Sequence, residues 1–233
     1  MLVNRRNFRI SKVVPRFLMD ANLFTLINAT WAHPALDLTM AAASSWAFWW
    51  PFLVLGGLLL LIFGGFRARA MLLACGIALG ITDALVVDTL KGIVGRPRPH
   101  EAMEGVRTID LGRANPRFLA LAKPLKLRYS GPPKATGHGN SFPSGHAANN
   151  FCVAMVAALF YRRWGWLVFL PASLVSYSRI YVGSHWPLDV AVSCVIGVAI
   201  ALAVVAAMRW LWERHGGRLL PKVFASHPEL TGP

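Results

Sequence analysis

The chain has 233 residues and a formal net charge of +14, a length suited to one bundle rather than two large domains. Hydrophobic residues make up 55% and charged residues 15%, well below the roughly 25% charge of a soluble domain, so the composition indicates a membrane protein. No soluble basic module carries the excess Lys and Arg, which argues against nucleic acid as a partner. Basic residues beside apolar helices instead set topology, meet anionic headgroups and attract a negatively charged substrate.

The first 20 residues hold Arg5, Arg6, Arg9, Lys12 and Arg16. No clean apolar stretch with a small-residue cleavage site follows them, so a signal peptide is not expected. Residues 17–45, with Asn22 to Asn28, His33-Pro34 and Asp37, space their apolar groups as a helix does but interrupt them with polar ones. This pattern predicts an amphipathic interfacial helix, with a sixth, poorly hydrophobic span as the alternative. Trp46 to Phe66 and Leu188 to Met208 are continuous apolar runs that meet the ~20 residues needed to cross a bilayer. Ala70 to Val87, Ala147 to Tyr161 and Trp166 to Tyr177 are shorter runs that qualify with their flanks.

The expected fold class is therefore all-α, an integral membrane bundle of five to six transmembrane helices. A basic N-terminal segment would occupy 1–45, the membrane core 46–210 with a long polar loop at 91–145, and a short solvated tail 211–233. The loop is rich in Pro, Gly and basic residues, and an irregular loop of that length is usually functional. Cys75, Cys152 and Cys194 all fall inside apolar runs and read as small packing residues, not disulfide or metal partners. Trp46, Trp49, Trp50, Trp210 and Trp212 stand at span ends as aromatic belts.

Three polar clusters break the apolar pattern: Lys91 to Pro99, Pro143-Ser144-Gly145-His146, and Ser178 to Asp189. Counting crossings places all three on one membrane face. The first two share a loop; the third span leaves that face and the fourth returns to it. Lys91, Arg98 and Arg179 offer fixed positive charge to a phosphate, the arginines as bidentate forks. Ser144 offers a hydroxyl, and the N–H groups of Gly145 and His146 open a helix, where anions are favoured. His185 precedes Asp189 by four residues, with Pro187 placed as a first helical residue. On the first turn of a helix, the carboxylate could hold one imidazole nitrogen while the other attacks phosphorus. His146 is then the candidate general acid. Asp88 and Arg96 are candidate accessory residues: Asp88 sits one helical turn before Lys91, and Arg96 is open between assisting the phosphate and meeting headgroups. Asp83 lies deeper in its run and needs a partner on a neighbouring helix.

These clusters resemble the signature of the type-2 phosphatidic acid phosphatase family. Lys91 with Arg98-Pro99, Pro143-Ser144-Gly145-His146, and Ser178-Arg179 with His185 and Asp189 match it in residue and spacing. The resemblance covers roughly residues 20–210. It implies a metal-independent lipid phosphatase without cofactor, a phosphohistidine at His185, orientation by Asp189, and His146 as acid. The phosphate pocket would be Lys91, Arg98, Ser144, Gly145 and Arg179. The partners so implied are a phosphorylated membrane lipid and the bilayer itself. The stretch Leu23 to Thr30 also resembles bacterial undecaprenyl-diphosphate phosphatases, which makes undecaprenyl diphosphate the first substrate expectation. Phosphatidylglycerophosphate, phosphatidate and lipid A 1-phosphate come next, and transfer to another lipid is also allowed. The resemblance further implies a multi-pass bacterial inner-membrane protein with the site on the extracytoplasmic face. Counting positive charges alone does not settle that orientation, because the 91–145 loop is itself basic. A vanadate haloperoxidase and a non-catalytic lipid-binding or transport protein are the rival classes.

Overall fold

The computed structural model describes residues 18–133 and 139–231. The chain is an all-α integral membrane protein whose helices follow the apolar runs. In order they are α1 (Leu18–Thr25), a π-helical turn (Leu26–Thr30), α2 (Pro34–Ser44), α3 (Trp46–Phe63), α4 (Phe66–Gly80), a π-helical stretch (Ile81–Val87) and α5 (Asp88–Val94). After these come α6 (Pro99–Ala102), β1 (Arg107–Asp110), a 3-10 turn (Arg117–Ala122), β2 (Lys126–Tyr129) and α7 (Gly145–Phe160). A second 3-10 turn (Gly165–Val168), α8 (Phe169–Tyr181), α9 (Pro187–Leu219) and α10 (Pro221–Ser226) complete the chain. Among the described residues, three helices are long and apolar enough to span a bilayer: α3, the run that begins at Phe66, and α9; α7 is a shorter apolar helix. The Leu and Ile side chains of α3 from Leu53 to Ile62 are exposed, as expected of a helix whose solvent is lipid.

Two compact units divide the chain. One comprises Trp49–Asp88, Gly145–Ser173 and Ser193–Pro233. Its core repeats buried residues about one turn apart: Ala70, Ala74 and Ala78 on α4, and Cys152, Val156 and Phe160 on α7, with Ala201, Val204 and Val205 on α9. A fourfold spacing puts each set on one helix face, and the alanines let α4 and α7 pack closely. At Gly197 α9 and α7 are in close contact: a Cβ there would lie 2.1 Å from the Ala148 carbonyl oxygen. α9 continues to Leu219, past the end of the apolar run, and Leu230 returns to the edge of this core. None of the three cysteines is in a disulfide.

The other unit comprises residues 18–48 of the described chain, Thr89–Ser144 and Leu174–Val192. The long polar loop is not irregular throughout, since it carries an antiparallel hairpin pairing Arg107 with Tyr129 and Asp110 with Lys126. Asn28 fastens this hairpin. Its amide nitrogen donates to the carbonyls of Arg107 and Tyr181, both at 2.8 Å, and its oxygen accepts from Arg107 N–H at 3.1 Å. Arg107 also pairs with buried Asp37 of α2, which accepts from the Tyr181 hydroxyl at 2.7 Å. Burial works against the Arg107 cation, but the interactions with Asp37 and Tyr181 together outweigh it and the pKa rises above the usual arginine value. The segment 18–45 therefore does more than lie at an interface: Phe24, Ile27, Asn28 and Asp37 are all buried.

Candidate active site

Between Arg179 and Asp189 the chain turns from α8 into α9. The Arg179 carbonyl accepts from Ser184 N–H at 3.0 Å and from His185 N–H at 3.2 Å, closing α8. Gly183 sits in this turn at φ +77°, and a Cβ there would meet the Arg107 carbonyl oxygen at 2.6 Å. Only glycine fits both demands. Pro187 then opens α9, and Asp189 reaches back to accept from Trp186 N–H at 3.2 Å. That is half of a capping box, and it explains a carboxylate at this position.

His185 is buried, 4% exposed. Its Nδ1 lies 2.6 Å from the backbone carbonyl oxygen of Ser141. A carbonyl only accepts, so this contact calls for a hydrogen on Nδ1, which in a neutral ring puts the lone pair on Nε2. Asp189, fully buried, accepts from the Ser141 hydroxyl at 2.5 Å and from Arg96 Nη1 at 2.5 Å. Ser141 thus serves the histidine through its carbonyl and the aspartate through its hydroxyl. Nothing in the sequence marks it, since it lies two residues outside the Pro143 to His146 cluster.

The same unit holds the other cations. Lys91 is half-buried on the last turn of α5. Arg98 is half-buried where α6 begins, with its N–H donating to Glu101 Oε2 at 2.9 Å. Arg179 donates from Nη1 to the Ser44 carbonyl at 3.2 Å and also to the Ser44 hydroxyl. Its Nε is buried and has no hydrogen-bond partner among the described residues. Arg98 is near enough for the two cations to repel. Two arginines held against their mutual repulsion, one with an unsatisfied donor, are set up for an anion. Ser144, fully buried, ends this unit's part of the Pro-Ser-Gly-His cluster.

Gly145, His146, Asp83 and Asp88 belong to the other unit. Gly145 and His146 form the first turn of α7, where the helix dipole favours negative charge. Asp83 has its partner on that helix: Asn149 Nδ2 lies 3.0 Å from each carboxylate oxygen. Asp83 is carried on the π-helical stretch, a wide turn of the sort often found at functional positions. Asp88 opens α5, the helix that bears Lys91.

The chain is similar to an undecaprenyl-diphosphatase of Sulfolobus acidocaldarius, at 38% identity over 104 residues, 43% of this chain and 50% of the relative. It is also similar to a lipid A 4'-phosphatase of Bacteroides thetaiotaomicron, at 30% identity over 187 residues, 78% of this chain and 74% of that one. The chain spans about half the length of the curated relatives that it matches at 37% and 38% identity. Among solved structures, that of LpxE from Aquifex aeolicus superposes with a TM-score of 0.56 at 29% identity, over 82% of this chain and 96% of that one. Residues 68–213 match the family model of the PAP2 superfamily, a stretch that takes in all three polar clusters, and the chain belongs to that family.

Proposed function

We propose that the protein is a metal-independent phosphatase of a membrane lipid that works through a phosphohistidine at His185. The observation that carries this is the Ser141 carbonyl 2.6 Å from His185 Nδ1, which favours the tautomer a nucleophile requires. Nε2 attacks phosphorus, and the bond from phosphorus to the leaving oxygen breaks. Lys91, Arg98 and Arg179, with the Ser144 hydroxyl and the N–H groups of Gly145 and His146, offset the charge on the three equatorial oxygens. Such electrostatic stabilisation supplies most of the rate in phosphoryl transfer. His146 gives its proton to the leaving oxygen, then takes one from the water that attacks the phosphohistidine. Inorganic phosphate leaves and both histidines return to their starting states.

The substrate we favour is undecaprenyl diphosphate, cut to the monophosphate, on the extracytoplasmic face of a bacterial inner membrane. Support comes from the Leu23 to Thr30 stretch and from the 38% identity to a protein named for that reaction. A lipid A phosphate is the second reading, because the relative and the solved structure that cover most of this chain bear lipid A 4'-phosphatase and LpxE as names.

The test is phosphate release by detergent-purified protein, with EDTA present and His185→Ala in parallel. The substrates would be undecaprenyl diphosphate, lipid A, phosphatidate and phosphatidylglycerophosphate. Release that survives EDTA and disappears in the variant supports the mechanism, and the preferred lipid names the substrate. Release unaffected by His185→Ala would overturn it.

A further inference from the structure

Arg96, in the first polar cluster, faces carboxylates on two sides. Its Nη1 lies 2.5 Å from Asp189 Oδ1 and its Nη2 lies 2.6 Å from Asp20 Oδ2. The other Asp20 oxygen accepts from Leu188 N–H, on the first turn of α9, at 2.9 Å. A carboxylate there also meets the positive end of the helix dipole. Asp20 thus grips the start of α9 directly and again through Arg96 and Asp189.

Trp186, next to the nucleophile in sequence, is locked into the same cluster. Its ring lies over the Arg96 guanidinium, 5.1 Å from cation to centroid, and its Nε1–H donates to the Pro97 carbonyl at 2.9 Å. Phe24 of α1 also packs against this ring, at a centroid distance of 5.3 Å. Residues 96–97 and 186–189 are therefore joined by ion pair, hydrogen bond and ring contact, with Asp20 and Phe24 of α1 closing the assembly. His185 is carried on the stretch so held.

An arginine whose terminal nitrogens serve two carboxylates is poorly placed to bind substrate phosphate, which would have to compete with both. It also compensates the charge of a fully buried Asp189, which would otherwise be costly to leave in place. We infer that Asp20 and Arg96 are positioning residues for the proposed reaction: an Asp20–Arg96–Asp189 clamp that fixes the first turn of α9 and aims His185. The inference rests on the phosphatase reading above and adds to it a residue from the N-terminal helix. It also separates Arg96 from Arg98 and Arg179, the arginines expected at the phosphate.

The experiment measures kcat and KM of the full-length protein in mixed micelles, with undecaprenyl diphosphate, lipid A and para-nitrophenyl phosphate as probes. Variants are Asp20→Asn, Asp20→Glu, Arg96→Lys, Arg98→Lys and His185→Ala, each with its thermal midpoint. An ångström of misplacement at a reacting atom costs about 100-fold. Asp20→Asn and Arg96→Lys are therefore expected to lose about that factor in kcat, with KM moving less than about threefold. Asp20→Glu, which keeps the charge, should recover part of the loss, and Arg98→Lys should raise KM. Unchanged kcat in Asp20→Asn and Arg96→Lys, with His185→Ala inactive, overturns the clamp and leaves the phosphatase reading intact. So does a rise in KM alone, which would make Arg96 a phosphate ligand, or a loss that follows the thermal midpoint in every variant. Wild-type rates in His185→Ala would overturn both readings.

Discussion

Ser141 and His185, 44 residues apart, meet through a 2.6 Å contact between a backbone carbonyl and Nδ1, and the hydroxyl of the same serine donates to Asp189 at 2.5 Å. The two functions separate by mutation. Ser141→Ala keeps the carbonyl and deletes only the hydroxyl, leaving Asp189 Oδ2 with the Trp186 N–H. Loss of one hydrogen bond to a buried charge costs about 1–3 kcal/mol. The variant is expected to unfold at a lower temperature but to retain measurable turnover, down about tenfold. His185→Ala should retain none. Comparing kcat and thermal midpoints of the two variants checks this, and a Ser141→Ala variant as inactive as His185→Ala would put the hydroxyl itself in the chemistry.

If His146 supplies the leaving-group proton, its importance depends on how much the leaving oxygen needs one. A lipid alkoxide is a poor leaving group, whereas para-nitrophenolate departs unaided. His146→Ala should therefore lose about 100- to 10,000-fold in kcat on a lipid monoester, the usual range for general acid catalysis. On para-nitrophenyl phosphate the loss should be much smaller. Equal losses on both would instead assign His146 to binding.

The helices were legible because span length is a local property: apolar runs at 46–66, 70–87 and 188–208 each overlap a helix of the structure. The polar clusters stood out because they interrupt an otherwise apolar pattern, where ionisable groups are rare unless paired or wet. Three features were hidden, each for a physical reason. Helix continuation past the apolar run, through Asp88 to Val94 and from Arg209 to Leu219, depends on backbone propensity, which hydropathy does not report. The hairpin at 107–129 has two strands of four residues, too short for alternation to stand out. Asp20 and Ser141 act on residues 76 and 48 positions away, and no local pattern marks a contact made only by folding. The polar breaks between 17 and 45 pointed to an interfacial helix, but Asn28 and Asp37 are there to receive Arg107 and Tyr181.

That last network gives a stability prediction with its own control. Arg107 and Asp37 are largely buried and paired, whereas Arg128 and Asp110 on the same hairpin are an exposed pair at 3.4 Å. Arg107→Ala strands the Asp37 charge in the interior and should cost about 3–5 kcal/mol. Arg128→Ala should cost no more than about 1 kcal/mol. Thermal unfolding in detergent separates them, and equal shifts would mean that the buried pair is worth no more than the exposed one.

Gly197 tests how the membrane helices are held together. Between lipid-embedded helices the attraction is mostly close van der Waals contact, which small residues permit. At Gly197 the added methyl of an alanine would stand 2.1 Å from the Ala148 carbonyl oxygen and 3.0 Å from Cys152 N. Both are backbone atoms of α7, so no side chain can rotate out of the way and the helices must separate. Such overpacking costs about 1–3 kcal/mol. Gly56 on α3 has nothing within 4 Å of the corresponding position. Gly56→Ala should therefore be neutral or stabilise by about 0.5–1 kcal/mol, through the helix propensity gained. Opposite signs in the two thermal midpoints would support the tight contact between α7 and α9. A Gly197→Ala protein as stable as its parent would show that the two helices can move apart without cost.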